Sequence, residues 1–232
     1  NMKGSFLGPF FENEEIKVKL KKIGANYEFF DDEQLIEKTV LDLLSGKVIG
    51  WFQGRMEFGP RALGGRSIIG DPRSETMQKN LNLKVKYRES FRPFAPSILR
   101  EDVHNWFDIN EDSPYMLFVS QIMKDKQKKM TDEEKELFGL EKINAKRSEI
   151  PAVTHVDYSA RIQTVNKETN GKYYNLIKKF KDKTNCPVLI NTSFNIRGEP
   201  IVNTPEDAFN CFMGTELDSL IIGNFYLEKK KQ

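Results

Sequence analysis

The chain has few of the residues that most enzymes use for covalent or metal chemistry. Of its 232 residues, two are cysteines and two are histidines. Two cysteines cannot build a disulfide framework, and they point to a reducing, cytoplasmic compartment. Cys186 heads an apolar run and Cys211 lies between Phe209 and Phe212, so both read as small core residues rather than catalytic thiols. His104 and His155 are far apart and lack ligand spacing, which argues against a zinc site. His155-Val-Asp157 stays open between an imidazole–carboxylate couple on one strand face and an ordinary polar pair. No apolar run approaches the roughly 18 residues of a membrane span. No G-x-x-x-x-G-K-[ST] or G-x-G-x-x-G occurs, so a bound nucleotide would not use a P-loop or a Rossmann turn. No signal peptide is visible, and Asn1 before Met2 reads as the remnant of a cleaved tag, so the natural start is expected upstream.

Hydrophobic residues make up 38% of the chain and charged residues 30%, the balance of a soluble globular protein. The length suits one large domain or two small ones, and the absence of a flexible linker or internal repeat favours a single domain over 1–232. The net charge of +2 conceals an asymmetry. From Arg55 to Arg100 there are ten cations and four anions, so that segment carries +6 and the remainder −4. A local positive field points to a focused anion site more than to a general nucleic-acid coat. Residues 124–149 carry 15 charges in 26 positions and read as a solvated excursion, with Arg147 an ordinary surface residue.

Helices are expected from Asn13 to Ile23, and after Asp31, which has capping-box spacing to Gln34. Others are expected from Ser74 through Leu81, after Asn170, and from Pro205 behind a Thr204 cap to Gly214. Strands are expected over 47–54, 66–70, 114–123, 151–165 and 187–194, and as one closing strand in DSLIIGNFYLEK. Mixed helices and strands without a βαβ repeat predict an α+β domain with one main twisted mixed sheet flanked by helices.

Three motifs carry chemistry. GRMEFGPRALGGRS, 54–67, holds four glycines and three arginines. Gly59, Gly64 and Gly65 would let backbone N–H groups turn towards an anion. Arg55, Arg61 and Arg66 would add bidentate phosphate contacts. A tight turn with surface arginines is the plainer alternative. VKYRESFRPFAPS, 85–97, sets Lys86, Arg88 and Arg92 among Tyr87, Phe91 and Phe94. On an extended chain Lys86 and Arg88 point the same way, and Pro93 holds Arg92 extended. LINTSFN, 189–195, ends an apolar strand in Asn191, Thr192, Ser193 and Asn195, with Arg197 beyond. Loop capping and ligand binding both fit these small polar residues. Arg161 is a further anion contact or a surface residue.

These three stretches, in this order and spacing, resemble the C-terminal domain of the O-carbamoyltransferases that modify nodulation factors and antibiotics. The resemblance runs from about Gly8 to the end and implies a YrdC-like fold. The K-x-R and S-x-N hallmarks of that fold's relatives would be Lys86-Tyr87-Arg88 and Ser193-Phe194-Asn195. The family's anion-binding positions would fall on Arg61, Lys86, Arg92, Asn191 and Ser193. The implied reaction makes carbamoyl adenylate from ATP and carbamoyl phosphate, with Mg²⁺. Lys86, Arg92 and Arg61 would be the catalytic cations, and no metal ligand is assigned. Arg55, Arg66, Arg88, Arg161, Asn191, Ser193, Asn195 and Arg197 would bind the two substrates. The partner would be a metal-binding N-terminal transferase domain that this chain lacks. A nucleic-acid-binding YrdC-like module and an inactive regulatory domain are the alternatives. No membrane and no nucleic-acid partner is expected, and the oligomeric state is open.

Overall fold

The computed structural model describes residues 2–139 and 145–232. Residue 1 and residues 140–144 of the charged stretch lie outside the described residues. In chain order the elements begin with α1 (Asn13–Lys22), β1 (Glu28–Phe29), α2 (Asp32–Leu44), β2 (Ile49–Phe52), β3 (Arg66–Gly70) and α3 (Met77–Lys84). Then come β4 (Ala95–Leu99), α4 (Val103–Trp106), β5 (Val119–Gln121), α5 (Asp132–Glu136), β6 (Ser159–Arg161) and β7 (Gln163–Val165). The chain closes with α6 (Gly171–Thr184), β8 (Val188–Ser193), α7 (Pro205–Met213), β9 (Ser219–Ile222) and β10 (Phe225–Glu228).

Eight strands form one mixed sheet in the order β1-β10-β9-β2-β3-β8-β4-β7. The pairs β2–β9 and β4–β7 are parallel and the others antiparallel. β5 and β6 make a separate two-stranded sheet. The fold is the expected α+β arrangement, one main mixed sheet flanked by helices.

Local chemistry explains the helices. Asp31 accepts from the Gln34 N–H at 2.8 Å and Gln34 reaches back, which starts α2. Thr204 and Asp207 do the same for α7, with Pro205 in the first turn. Asn170 caps α6 through the Tyr173 N–H. The apolar face of α6, with Tyr173, Leu176, Ile177 and Phe180, is fully buried; Leu176, Ile177 and Phe180 each contribute about 1.5–3 kcal/mol of burial. β2, β3 and β4 are buried along their whole length, as befits a sheet covered on both faces. Trp51 faces Tyr173 of α6, with ring centroids 6.4 Å apart. Its neighbour Gly50 faces the other way, where a Cβ would stand 2.7 Å from the Phe194 ring.

Several expectations need correction. Residues 151–165 hold strand only at Ser159–Arg161 and Gln163–Val165, after a single 3-10 turn at Pro151–Val153, and the helix expected from Ser74 starts at Met77 without a side-chain cap. The stretch 114–123 forms a strand only at Val119–Gln121: Met116 has φ +56°, which breaks the extended run, and Leu117 to Val119 lie exposed. The closing strand is a hairpin, because Gly223 with φ +55° turns β9 into β10. Tyr87 has φ +47°, so Lys86 and Arg88 do not share one side of an extended chain. Arg147 is buried at 5% exposure and donates to the Ala145 carbonyl, so the charged stretch is anchored at its C-terminal end. His155 and Asp157 lie in a turn, where Asp157 accepts from the Ser159 N–H and hydroxyl; that is the ordinary polar reading. Both cysteines are buried and free. Burial pushes Cys186 up to about 12 and Cys211 up to about 11, which leaves the thiols inert at neutral pH.

Candidate active site

The glycine-rich loop between β2 and β3 does turn its N–H groups onto an anion, but the anion belongs to the protein. Glu57 is buried, and its Oε1 accepts from the N–H groups of Leu63 (2.5 Å), Gly65 (3.3 Å) and Arg66 (3.3 Å). The loop therefore wraps its own carboxylate. Gly64 is needed at the crest: its φ is +103°, and a Cβ there would lie 2.3 Å from the Tyr173 ring. The Gly64 carbonyl accepts from the Trp51 indole N–H at 3.0 Å. This anchoring holds Pro60, Arg61 and Ala62 over the ends of β8 and β4.

Arg66 sits under the loop, fully buried. Its guanidinium donates to the carbonyls of Gln53, Gly54, Gly65 and Pro9 and stacks 3.5 Å from the Phe52 ring centre. Burial pushes it down to about 10, while the Glu57 charge opposes the shift. The residue braces the loop and does not line the pocket above it. Arg55 is exposed, donates to the Gly8 carbonyl, and lines a different cavity beside Phe10, Phe11 and Lys172.

The pocket has a volume of about 140 Å³ and is lined by Pro60, Arg61, Ala62, Arg88, Pro93, Phe94, Ala95, Met116, Arg161, Asn191, Thr192 and Ser193. It brings together Arg61, Arg88, Arg161, Asn191 and Ser193 from the sequence expectation. Each cation comes from a different element. Arg88 is aimed by Asn82 of α3, whose side-chain oxygen accepts from Arg88 Nε at 2.6 Å, and it lies over the buried Phe94 ring at 4.9 Å. Arg161 ends β6, with its buried Nε unpartnered. Burial, then the Arg61 charge, hold its guanidinium below the ordinary value. Arg88 is lowered by burial first and by Arg92 second. Three like charges held near one another without carboxylate partners in the lining are an arrangement that an incoming anion relieves.

Lys86 stands behind this pocket. It is 5% exposed, and its Nζ donates to the Ser193 carbonyl (2.5 Å), the Asn195 carbonyl (2.9 Å) and Asn195 Oδ1 (2.8 Å), with Ser193 Oγ at 3.4 Å. It ties down the chain leaving β8. Asn195 completes the tie by donating to the Glu199 carbonyl. Arg92 is half-exposed and paired with Glu89 at 2.9 Å. Arg197 is exposed, close enough to act on the Glu89 charge. Neither of these two lines the pocket.

Ser193 lines the pocket, and its hydroxyl has a protein partner, Asn195 Oδ1, at 2.7 Å. Ser193→Ala is therefore expected to lower apo stability by about 1 kcal/mol as well as weaken ligand binding. Denaturant unfolding and ligand titration of the same variant check both. The residues the motifs did not reveal are Glu57, Asn82 and Gln163. The Gln163 amide sits between β4 and the loop, accepting from Ser97 Oγ (2.5 Å) and Asn191 Nδ2 (2.8 Å) and donating to the Leu63 carbonyl (2.8 Å). A buried amide that links three segments has no signature in a single sequence.

Comparison with known proteins gives this geometry a family. Over 229 residues the chain is 38% identical to the nodulation protein NolO of Bradyrhizobium diazoefficiens, covering 97% of this chain and 38% of that protein. It is 32% identical over 187 residues to the 3'-hydroxymethylcephem-O-carbamoyltransferase of Streptomyces clavuligerus, covering 81% of this chain and 32% of the enzyme. The chain thus spans about a third of the length of these curated relatives. Among solved structures, full-length HypF in its phosphate- and nucleotide-bound form shares the fold, with a TM-score of 0.53 at 15% identity, covering 85% of this chain and 22% of HypF. Among the described residues, no helix is long and apolar enough to cross a membrane. Residues 40–229 match the family described as carbamoyltransferase C-terminus, and the chain belongs to that carbamoyltransferase family.

Proposed function

We propose that this domain activates a carbamoyl group, binding carbamoyl phosphate in the three-arginine pocket and using ATP to form carbamoyl adenylate. The observation that carries the reading is the convergence of Arg61, Arg88 and Arg161 on one small polar pocket. At about 140 Å³ it is smaller than the roughly 300 Å³ and upwards of sites for drug-sized ligands. It suits a small phosphorylated molecule, and a nucleotide would extend outwards. Arg92 and Arg197, gathered about Glu89, are the cations available to a longer polyanion.

Both substrates are polyanions. Two unit charges about 5 Å apart repel by roughly 3 kcal/mol at an effective dielectric near 20, so fixed cations are needed to bring them together. Carbamoyl phosphate would lose phosphate to water, leaving carbamate. A carbamate oxygen would then attack the α-phosphorus of ATP as pyrophosphate departs. Neither step needs a protein nucleophile, and positioning with charge stabilisation would supply the catalysis. Among the described residues, no group of three His, Cys, Asp or Glu could hold a metal ion, and the pocket lining is cationic. Mg²⁺ would therefore arrive on the nucleotide's phosphates.

Transfer to a hydroxyl acceptor would fall to the N-terminal part of the longer relatives, which this chain does not span. The nucleic-acid reading loses one of its three stacking rings, because Phe94 is buried beneath Arg88, while Tyr87 and Phe91 stay exposed; the small cationic pocket favours the carbamoyl phosphate reading. Incubating the chain with ATP, Mg²⁺ and carbamoyl phosphate should release pyrophosphate only when carbamoyl phosphate is present. A folded chain that neither binds ATP nor releases pyrophosphate rules the reading out.

A further inference from the structure

The crest that carries Arg61 to the pocket is held at one end by a segment that no motif marks. Residues 5–9 form a strap against residues 55–58 of the glycine-rich loop. The Gly8 N–H donates to the Met56 carbonyl and the Met56 N–H to the Pro9 carbonyl, both at 2.9 Å, and the Phe58 N–H donates to the Ser5 carbonyl at 2.6 Å. Two arginines close the seam. Arg55 donates to the Gly8 carbonyl and the buried Arg66 to the Pro9 carbonyl, each at 3.2 Å. Gly8 permits the close approach, since a Cβ there would stand 2.9 Å from both the Cβ and the carbonyl oxygen of Met56. Phe6 packs against the cluster of Leu63, Ala95 and Met116, of which Ala95 and Met116 line the pocket.

The strap's last bond lies close to Arg61. Between the Phe58 N–H and the Ala62 carbonyl, which accepts from Asn191 Nδ2 at 3.0 Å, stand Gly59, Pro60 and Arg61. Arg61 is exposed, so the backbone at these two anchors decides where its guanidinium stands. We propose that the strap 5–9 is a positioning element of the anion site. Seated, it fixes the loop backbone ahead of Arg61; unseated, it releases Arg61 from the pocket. The inference rests on the anion-site reading of the three-arginine pocket. No residue of the strap lines that pocket, so its effect passes through Arg61. By linkage, an anion that binds the seated state must in turn hold the strap down.

Hydrogen exchange of the wild-type chain tests this, with inorganic phosphate and carbamoyl phosphate as probes and calorimetry to establish their binding. A bound probe should slow exchange at the Gly8, Met56 and Phe58 amides by about 5-fold or more. Binding without slowing at those amides overturns the strap's role and leaves the anion site standing. Binding of neither probe removes the anion site and the strap's role with it. Gly8→Val, which cannot keep the close approach to Met56, should bind the probe about 5-fold more weakly. In an Arg61→Gln background the same substitution should change affinity by less than about 2-fold. An equal loss in both backgrounds would mean that the strap serves general stability, and wild-type affinity in Gly8→Val would mean that it does not reach the site; either overturns the proposal. If Gly8→Val does not fold, exchange in the wild type still decides.

Discussion

Glu57→Leu is expected to cost about 3–5 kcal/mol of stability and to abolish measurable carbamoyl phosphate binding. The substitution strands three N–H groups, those of Leu63, Gly65 and Arg66, that now converge on one carboxylate oxygen. It also leaves the buried Arg66 guanidinium without the one negative charge that offsets its burial. The strand-to-strand loop would lose its centre, and Arg61 with it. Glu57→Gln keeps an acceptor oxygen and loses only the charge, so it should fall between the variant and the wild type. Denaturant unfolding and carbamoyl phosphate titration of all three proteins give that order. A Glu57→Leu chain with wild-type stability would show that the loop stands without its internal anion.

Lys86→Met should have the second largest effect, about 2–4 kcal/mol, because the oxygens of Ser193 and Asn195 would lose a shared donor. Its signature is a pH dependence. Burial, then the Arg88 charge, push the Lys86 ammonium down to about 7 from an ordinary 10.5, although the oxygens gathered on Nζ favour the charged form. With the folded value depressed, the unfolded chain binds the proton more tightly between those two values. Stability from this group therefore rises with pH through that window, and Met at position 86 should flatten the rise. Melting curves from neutral to alkaline pH, wild type against variant, check it. Two parallel profiles would contradict this account of Lys86. Catalysis should fall as well, because Ser193 is displaced, even though Lys86 itself lies behind the pocket.

The sequence displayed what local physics controls. Capping boxes at Asp31 and Thr204, the Asn170 cap and the apolar runs of β3 and β8 were legible because each depends on residues a few positions apart. The cationic bias of 55–100 was legible as composition, and it did mark the segment that supplies Arg61 and Arg88. What long-range contacts decide was hidden. Lys86, Arg66 and Arg61 are alike in sequence, yet the first ties down the exit of β8, the second braces a loop from below, and the third reaches the pocket. Nothing near position 87 announced the positive φ that sends Lys86 and Arg88 different ways. Glu57 looked like one of four anions in a basic segment, because the N–H groups that need it come six to nine residues later. Arg147 looked solvated because its neighbours are charged, while its burial depends on elements packed from elsewhere.

The central claim is that Arg61, Arg88 and Arg161 form one anion site for carbamoyl phosphate. The most direct measurement is carbamoyl phosphate affinity in Arg61→Gln, Arg88→Gln and Arg161→Gln, with Lys183→Gln on the far end of α6 as the control. Each arginine variant is expected to bind roughly 10-fold or more weakly, the scale of one lost charge-assisted hydrogen bond. The control, whose lysine pairs with Glu37, should bind as the wild type does. Unchanged affinity in all three arginine variants, or an equal loss in the control, would contradict the account.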